Sequence, residues 1–334
     1  MPIQTSPTLS ADQPLLETML DADSMASEIR EILGTRRAVG RIVSIDLISR
    51  RRGKRAVVAY ELASSHSQPF WIYGKHFTEP ERARRLYDVM TSLSTVARSP
   101  FDVPRPLAWL PELSAVFYVP ARGRDLRGAV ADGHVTDLLR RCGESVAALH
   151  GVPMELDRTL DLRRELSNVR SWTDVVAATF PAHAEVALEV SDRLHQGALK
   201  MGSETGVPIH KDLRYDHIVV GSRVTFIDLD EMRTGDPSFD LAHFCVYLDL
   251  LAIRSDLSRS RLEALRDAFL AAYAESTPWV PNYAFDYYRA YSCLKVASQL
   301  CRVTGVRPWP EGDERRRQLR AILGEGRAAA RELS

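Results

Sequence analysis

The stretch that decides the fold covers residues 207–242 and reads VPIHKDLRYDHIVVGSRVTFIDLDEMRTGDPSFDLA. Two short apolar, β-branched runs flank residues 221–222, a Gly-Ser pair, which predicts a β-hairpin. The loop before the hairpin and the position after it carry polar side chains that can bind a metal or a proton: His210, Asp212, His217 and Asp228. Because the two ends of a hairpin lie side by side, we expect these groups to meet at one end of the ribbon. Two acids and an imidazole placed there suit a divalent cation and a reacting hydroxyl group.

The composition is that of an ordinary globular protein. Hydrophobic residues make up 45% of the 334 residues and charged residues 26%, which allows a sizeable core. Lysine plus arginine equals aspartate plus glutamate at 44 each, so net charge does not favour a nucleic acid or a membrane as partner. The first residues lack a basic region followed by an apolar core, so we expect no secretory signal, and no stretch is apolar for long enough to predict a membrane span.

The cysteines predict a reducing compartment. The chain contains four, namely Cys142, Cys245, Cys293 and Cys301. They form no C-x-x-C pair, and three of them lie in apolar, helical surroundings. We therefore expect buried, reduced thiols in a cytoplasmic protein.

The first third of the chain predicts a flexible arm followed by a sheet. Residues 1–24 are polar and rich in Ser, Pro and Asp, which is typical of an arm with one weak helical turn, and a helix over 25–33 ends at Gly34. A further helix, with Pro80 in its first turn, runs to about residue 93. Apolar runs rich in β-branched and aromatic residues predict five strands of a mainly antiparallel sheet: 42–48, 56–62, 70–77, 104–109 and 114–119.

Two features of this predicted sheet are candidates for binding an anion. The run SRRRGKR at 49–55 forms either a solvated hairpin tip or a loop that covers phosphate groups, in which Arg52 and Gly53 would take part. Lys75 stands in an otherwise apolar strand, where an ammonium group costs free energy unless anionic partners surround it. An exposed place on an edge strand is the alternative for Lys75.

The rest of the chain predicts helices. Apolar residues at helical spacing indicate helices over 134–150, 237–253, 261–275, 282–302 and 313–332. Residues 157–200 are helical and charged. Several aromatic residues between 283 and 291 either pack in the core, which we favour, or line a binding pocket.

The central stretch resembles the catalytic segment of the aminoglycoside phosphotransferase and choline kinase group. That group has H-G-D-L-H-P-x-N, then I-D-F/W, then D-P-x-x-D-L-A; this chain has HKDLRYDH at 210–217, IDL at 227–229 and DPSFDLA at 236–242. The resemblance implies an α+β, bilobal, protein-kinase-like fold with a five-stranded antiparallel sheet plus a helix in the N-terminal lobe (25–121). A mainly helical C-terminal lobe (122–334) would follow, with residues 157–200 in the region that binds the acceptor.

The resemblance also implies roles for the polar residues of the central stretch. Asp212 would be the catalytic base and His210 would order the catalytic loop. Asp228 would hold Mg²⁺, and His217 would take the metal-facing position at which the group usually has Asn, as in the similar macrolide kinases. Lys211 and Arg214 are neighbouring cations that could lower the pKa of Asp212 or stabilise transferred charge.

Residues of the N-terminal lobe would bind the nucleotide, which the resemblance identifies as ATP or GTP. Lys75 would contact the α- and β-phosphates. An acid on the next helix would pair with Lys75; we favour Asp88 over Glu81, and an exposed pair with Arg84 or Arg85 is the alternative for either. The backbone of Phe117, Tyr118 and Val119 would contact the adenine edge.

The predicted function is phosphoryl transfer from the nucleotide to a hydroxyl group of a small molecule such as an antibiotic, a sugar or an amino alcohol. A kinase-like nucleotide-binding module without turnover is the alternative, because a Gly-rich loop is missing and His217 replaces Asn. A metal-dependent hydrolase is a further alternative, and its ligands would be His210, Asp212, His217 and Asp228. Residues 231–236 are too few to form a peptide-docking loop, which disfavours a protein kinase.

Overall fold

The computed structural model describes residues 13–34, 39–64, 69–96, 99–129, 135–202, 206–302 and 312–333. The chain forms two compact units, which we call the smaller and the larger unit. The smaller unit contains residues 1–97 and 102–122, and the larger contains 98–101 and 123–334. The sequence placed this division after residue 121 and did not assign the segment 98–101 to the second part.

The two units differ in secondary structure, with the long strands in the first and most helices in the second. The strands are β1 (Val39–Arg51), β2 (Arg55–Ser64), β3 (Phe70–Phe77), β4 (Phe101–Asp102), β5 (Arg105–Leu110), β6 (Ala115–Val119), β7 (Arg124–Asp125), β8 (Val207–Ile209), β9 (Ile218–Val220), β10 (Val224–Phe226) and β11 (Arg233–Gly235). The helices are α1 (Gln13–Leu20), α2 (Ala22–Leu33), α3 (Pro80–Ser94), α4 (Leu126–Ala129), α5 (Val135–His150), α6 (Leu162–Thr179), α7 (Ala184–Gly197), α8 (Ser238–Arg254), α9 (Arg259–Ser276), α10 (Tyr283–Cys301) and α11 (Gly312–Arg331).

The smaller unit is built on a five-stranded sheet in the order β1-β2-β3-β6-β5. All four strand pairs are antiparallel, which confirms the predicted sheet. In β2, Val58, Tyr60 and Leu62 are every second residue, so their buried side chains share one face of the sheet and form a core there. Tyr60 lies 6.1 Å from the ring of Phe117 on β6.

The N-terminal residues correct the sequence prediction of a flexible arm over 1–24. Residues 13–20 form α1, whose Leu16 and Met19 are buried in the same core as Tyr60. The Tyr60 hydroxyl donates a hydrogen bond to the Met19 carbonyl oxygen at 2.7 Å. The arm prediction is therefore wrong for residues 13–24, because a short helix that is marginal alone is stabilised by burying two side chains. Residues 1–12 lie outside the described residues.

The larger unit contains the predicted hairpin. Strands β9 and β10 pair antiparallel, with Val224 opposite Val220 and Phe226 opposite Ile218. Strand β7 pairs with β9, and Gly123 just before it has φ 139°. A Cβ atom at Gly123 would lie 2.3 Å from the Val220 carbonyl oxygen, so glycine is required for this close approach.

Helix α8 is the centre of the larger unit. Residues 238–252 of this helix are all buried, which explains why its sequence is apolar on every side. Helices α9, α10 and α11 contact it. The polar side chains of this helix therefore lie in a largely dehydrated environment. Those in its first turns are next to the loop that follows β8.

The cysteines match their prediction. All four are buried and none forms a disulfide, and burial raises the pKa of Cys142 and of Cys245 to about 12. None of the helices in the described part of the chain combines the length and the apolarity that a membrane crossing requires.

Candidate active site

Residues 210–217 form the loop between β8 and β9 for which the sequence predicts a catalytic role, and we keep the name catalytic loop for it. Two residues in and near this loop have unusual backbone conformations. Lys211 has φ 71° and Asp228, two residues after β10, has φ 63°. These left-handed conformations are unfavourable for residues other than glycine and recur at functional sites, where the surrounding structure holds them. The catalytic loop ends in a 3₁₀ turn, Tyr215–His217, which leads directly into β9.

Asp240, in the first turn of α8, anchors the catalytic loop. Its carboxylate accepts hydrogen bonds from the backbone N–H groups of His210 at 2.5 Å and Lys211 at 2.8 Å. The His150 imidazole donates a third, at 3.2 Å. Burial opposes ionisation of Asp240, but the His150 hydrogen bond and charge and the backbone of His210 outweigh it, so its pKa is lowered.

His210 orders the loop by hydrogen bonding, in the manner the sequence suggested. Its Nε2–H donates to the Ile227 carbonyl oxygen at 2.9 Å, and its Nδ1 accepts the backbone N–H of Asp212 at 3.4 Å. The imidazole thus joins the loop to the residue that precedes Asp228.

Asp212 lies in a strongly cationic environment. Its Oδ1 is 3.0 Å from the Lys295 ammonium group and 3.4 Å from His243 Nε2, and its Oδ2 is 3.7 Å from Arg214 Nε. Burial alone would raise the pKa of Asp212, but Lys295 and Arg214 outweigh it and hold the pKa well below its ordinary value. Its side chain keeps 25% exposure, so an ionised carboxylate remains accessible to a ligand.

Sequence reasoning missed Lys295 and His243. Lys295 lies on α10 and His243 on α8, and the His243 Nδ1 is 3.0 Å from the Ser292 hydroxyl group. Burial, followed by the charge of Lys295, lowers the pKa of His243 to about 3, so this imidazole is neutral at pH 7. No local pattern marks either residue, since each meets Asp212 only through the packing of the two helices.

Asp212, His217 and Asp228 form a cluster that could hold a metal ion, because one ligand atom from each lies within 4.8 Å of the others. The His217 Nδ1–H donates to the Asp212 carbonyl oxygen at 2.8 Å, so Nε2 carries the lone pair. This Nε2 lies 3.5 Å from an Asp228 carboxylate oxygen. Burial, with the nearby Arg214, lowers the pKa of His217 to about 4, which leaves the imidazole neutral as a metal ligand must be.

Arg214 competes for that lone pair. Its guanidinium group donates to His217 Nε2 at 2.5 Å. The site fits Mg²⁺ through the carboxylate oxygens of Asp228, which are hard ligands. His217 fits only if Arg214 gives up this hydrogen bond.

Lys211, a cation that the sequence suggested could lower the pKa of Asp212, pairs through its side chain with a different acid. Its ammonium group lies 2.8 Å from the Glu165 carboxylate of α6 and 5.1 Å from the centre of the Phe239 ring. Burial and the charge of Lys295 lower the pKa of Lys211 to about 8, against the opposing effect of Glu165. Of the two cations that the sequence considered for Asp212, only Arg214 lies beside it.

In the smaller unit, Lys75 is buried in β3 with 4% exposure, and its ammonium group lies 5.5 Å from the centre of the Phe77 ring. Its predicted contact with a nucleotide stays a prediction. Asp88 is 62% exposed and lies 3.7 Å from Arg84, which is the surface pair that the sequence left open. Glu81 is exposed as well.

The other nucleotide-binding candidates lie at strand ends. Arg52 and Gly53 form the exposed turn between β1 and β2. On β6, the Phe117 side chain is fully buried, while Tyr118 and Val119 are partly exposed. Their contacts with a nucleotide also stay predictions.

Four of the five aromatic residues of α10 pack in the core, as the sequence analysis favoured, whereas Tyr283 is half-buried and donates a hydrogen bond to the Gly197 carbonyl oxygen. Phe285, Tyr287, Tyr288 and Tyr291 are buried, and the Tyr288 and Tyr291 rings lie 5.0 and 5.6 Å from Phe239.

Comparison with known proteins gives one family. The model of the phosphotransferase enzyme family matches residues 59–289, which begin within β2 and include β3, β5, β6 and the whole catalytic loop. No curated protein sequence matches the chain closely enough to count as a relative.

Solved structures share the fold at low sequence identity. A candidate aminoglycoside phosphotransferase from Ralstonia eutropha has a TM-score of 0.62 at 16% identity, over 93% of this chain and 98% of its own. The choline kinase LicA from Streptococcus pneumoniae has a TM-score of 0.60 at 13% identity, over 92% and 98%. The amicoumacin kinase hAmiN, bound to AMP-PNP, Ca²⁺ and Ami, has a TM-score of 0.61 at 12% identity, over 94% and 95%. At such identities these likenesses confirm the kinase-like fold and say nothing about the acceptor.

Proposed function

Because this chain belongs to the phosphotransferase enzyme family, we propose that it transfers the γ-phosphate of ATP or GTP to a hydroxyl group of a small molecule. The observation that carries the proposal is the cluster of Asp212, His217 and Asp228, which the catalytic loop and the hairpin bring within 4.8 Å. Phosphoryl transfer requires mainly positioning and charge neutralisation, and this cluster supplies groups for both.

Asp212 acts as the base in this proposal. Its Oδ1 faces Lys295 and His243, whereas the contacts of Oδ2 are longer, at 3.7 Å to Arg214 Nε and 3.8 Å to His217 Nδ1. Oδ2 is therefore the oxygen that we propose accepts a hydrogen bond from the acceptor hydroxyl. Since the pKa of Asp212 is held low, the carboxylate orients the hydroxyl first and takes its proton only as the new P–O bond forms. Asp240 accepts hydrogen bonds from the backbone of the two residues that precede Asp212, and so it fixes the position of Asp212.

Asp228 and His217 are the proposed metal ligands. A bound Mg²⁺ would neutralise charge on the β- and γ-phosphates of the nucleotide. The chain holds Asp228 in a left-handed conformation two residues after β10, and the Asp212 carbonyl fixes the His217 tautomer so that Nε2 faces Asp228. Lys75 is the proposed ligand of the α- and β-phosphates.

A small acceptor is favoured over a peptide. Between Asp228 and the start of α8, the chain forms a 3₁₀ turn, Leu229–Glu231, and then β11, which pairs with β8. Only a single residue separates the 3₁₀ turn from β11, and two residues separate β11 from α8, so this segment is too short for a loop on which a peptide could dock.

The proposal is tested with purified protein, Mg·ATP and a library of small hydroxyl compounds, by following ADP release and the phosphorylated product. We expect saturable Mg·ATP binding in calorimetry, a slow ATPase activity without acceptor, and faster turnover with at least one compound. Asp228→Ala should lose the slow ATPase activity. Absence of any nucleotide binding would contradict the proposal, and binding with no turnover in any condition would identify an inactive module.

A further inference from the structure

Lys211 occupies a backbone position that suits glycine. The usual pattern of the resembling kinases has Gly between the His and the Asp of the catalytic loop, and Lys211 here adopts φ 71°. A residue with a Cβ atom in the left-handed region costs about 1 kcal/mol relative to glycine. Such a conformation persists where the surroundings compensate for it, so the contacts of the side chain need an explanation.

Those contacts form a closed set around the ammonium group. Glu165 accepts from the Lys211 ammonium at 2.8 Å, and the ring of Phe239 lies 5.1 Å away. The Glu165 carboxylate also accepts from Asn168 at 3.1 Å and from the Tyr291 hydroxyl group. Both partners of the ion pair are well buried, with side-chain exposures of 13% for Lys211 and 3% for Glu165.

Glu165, Asn168, Phe239 and Tyr291 therefore make a pocket for a cation, which we call the ammonium pocket. A buried carboxylate beside an aromatic face is the arrangement by which proteins recognise an ammonium group of a ligand. Here the chain supplies that ammonium group itself. The pocket lies close to the proposed base, since Lys211 precedes Asp212 and the Phe239 ring lies 5.9 Å from the ring of His243, whose Nε2 is 3.4 Å from Asp212 Oδ1.

We propose that Lys211 is a specificity-determining residue: it fills the ammonium pocket as a resident cation and so restricts the acceptor to hydroxyl compounds without an ammonium group beside the reacting hydroxyl. The statement about the acceptor rests on the proposed kinase function, whereas the statement about the pocket does not. A purely structural role, in which Lys211 only ties α6 to the catalytic loop, makes a different prediction.

The pocket is tested by removing the resident cation and supplying a free one. In Lys211→Gly, we expect the thermal midpoint to rise with methylammonium chloride over 0–200 mM and to stay flat with sodium chloride at the same ionic strength. Wild type and the double variant Lys211→Gly/Glu165→Gln should respond to the two salts alike. If the thermal midpoint of Lys211→Gly changes equally in the two salts, the pocket does not accept a free ammonium ion and the proposal is overturned. The proposal is also overturned if methylammonium raises the midpoint of wild type more than sodium chloride does.

A folding defect in Lys211→Gly does not prevent the test, because recovery of folded protein after refolding can be compared in the two salts. Recovery in methylammonium alone supports the proposal, and failure in both salts overturns it.

The acceptor statement is tested by turnover with ethylene glycol and ethanolamine, which differ only in the group beside the hydroxyl, and with the best acceptor of the library. We expect wild-type kcat/KM for ammonium-bearing compounds to be at least about tenfold below that of their neutral counterparts, corresponding to about 1.4 kcal/mol, and the gap to narrow in Lys211→Gly. A wild-type enzyme whose best acceptors carry the ammonium group overturns the proposal. If no compound is phosphorylated, the kinase function fails, while the methylammonium experiment still decides the pocket.

Discussion

Replacing Asp240 by Asn tests how the catalytic loop is held. The buried carboxylate accepts from two backbone N–H groups, of His210 and Lys211, and from His150. An Asn side chain keeps one acceptor oxygen but turns an NH₂ group toward at least one of these donors. Hydrogen bonds to charged groups contribute about 1.5–3 kcal/mol each, and a buried donor without an acceptor costs about 1–3 kcal/mol. We therefore expect Asp240→Asn to lower the free energy of unfolding by about 3–5 kcal/mol.

This loss is measurable as a fall in the thermal midpoint of roughly 10 °C, given about 2–4 °C per kcal/mol for a domain of this size, and by urea denaturation. Asp236→Asn is the matched control, because Asp236 is only partly buried and the Asn oxygen can still accept the Ser238 backbone N–H, now 2.7 Å from the carboxylate. Its cost should stay below about 1 kcal/mol. Since the pKa of Asp240 is lowered in the folded state, its contribution is present at neutral pH and is lost as the pH falls through the folded-state pKa. An Asp240→Asn variant as stable as the control would refute the argument that this carboxylate holds the loop.

Three further changes probe other parts of the account. Burial raises the pKa of Asp249 to about 6, so the free energy of unfolding of wild type should fall by about 1 kcal/mol between pH 5 and pH 7. The Asp249→Asn variant should not show this fall. An equal fall in both proteins, measured by denaturant titration, would argue against this role of Asp249. Met19→Ala should destabilise the protein by about 2–4 kcal/mol in the same assay, since Met19 is fully buried, whereas an arm that does not pack would give no change. Arg214→Met should tighten Mn²⁺ binding in a calorimetric titration by several-fold, because it frees His217 Nε2 and removes a nearby positive charge; weaker binding would show that Arg214 supports the metal site.

The parts of the fold that local patterns determine were predictable. The hairpin of β9 and β10 and the five strands of the smaller unit follow from alternation and from a Gly-Ser turn, and both are confirmed. Helix α1 was not predictable in this way. Its eight residues are too few to be stable alone, and only burial of Leu16 and Met19 explains why they are ordered.

In the candidate site, too, residues that a local pattern brings together were predictable, and residues that meet only through packing were not. Asp212, His217 and Asp228 belong to one continuous stretch, so their meeting could be expected from the hairpin alone. Lys295 could not be found, because it reaches Asp212 from a helix 83 residues further along the chain. Lys211 could be identified as a cation, but its partner Glu165 depends on where α6 packs.

The most direct test of the account is a comparison of binding and turnover in Asp212→Asn. Removal of the proposed base should leave the Kd for Mg·ATP within about threefold of wild type, because the role proposed for Asp212 is to orient the acceptor and not the nucleotide. Phosphoryl transfer to the best acceptor should fall by about 10²–10⁴-fold. Asp228→Asn should instead weaken the Mg²⁺-dependent part of nucleotide binding. An Asp212→Asn enzyme that transfers phosphate at the wild-type rate would contradict the assignment of Asp212 as the catalytic base.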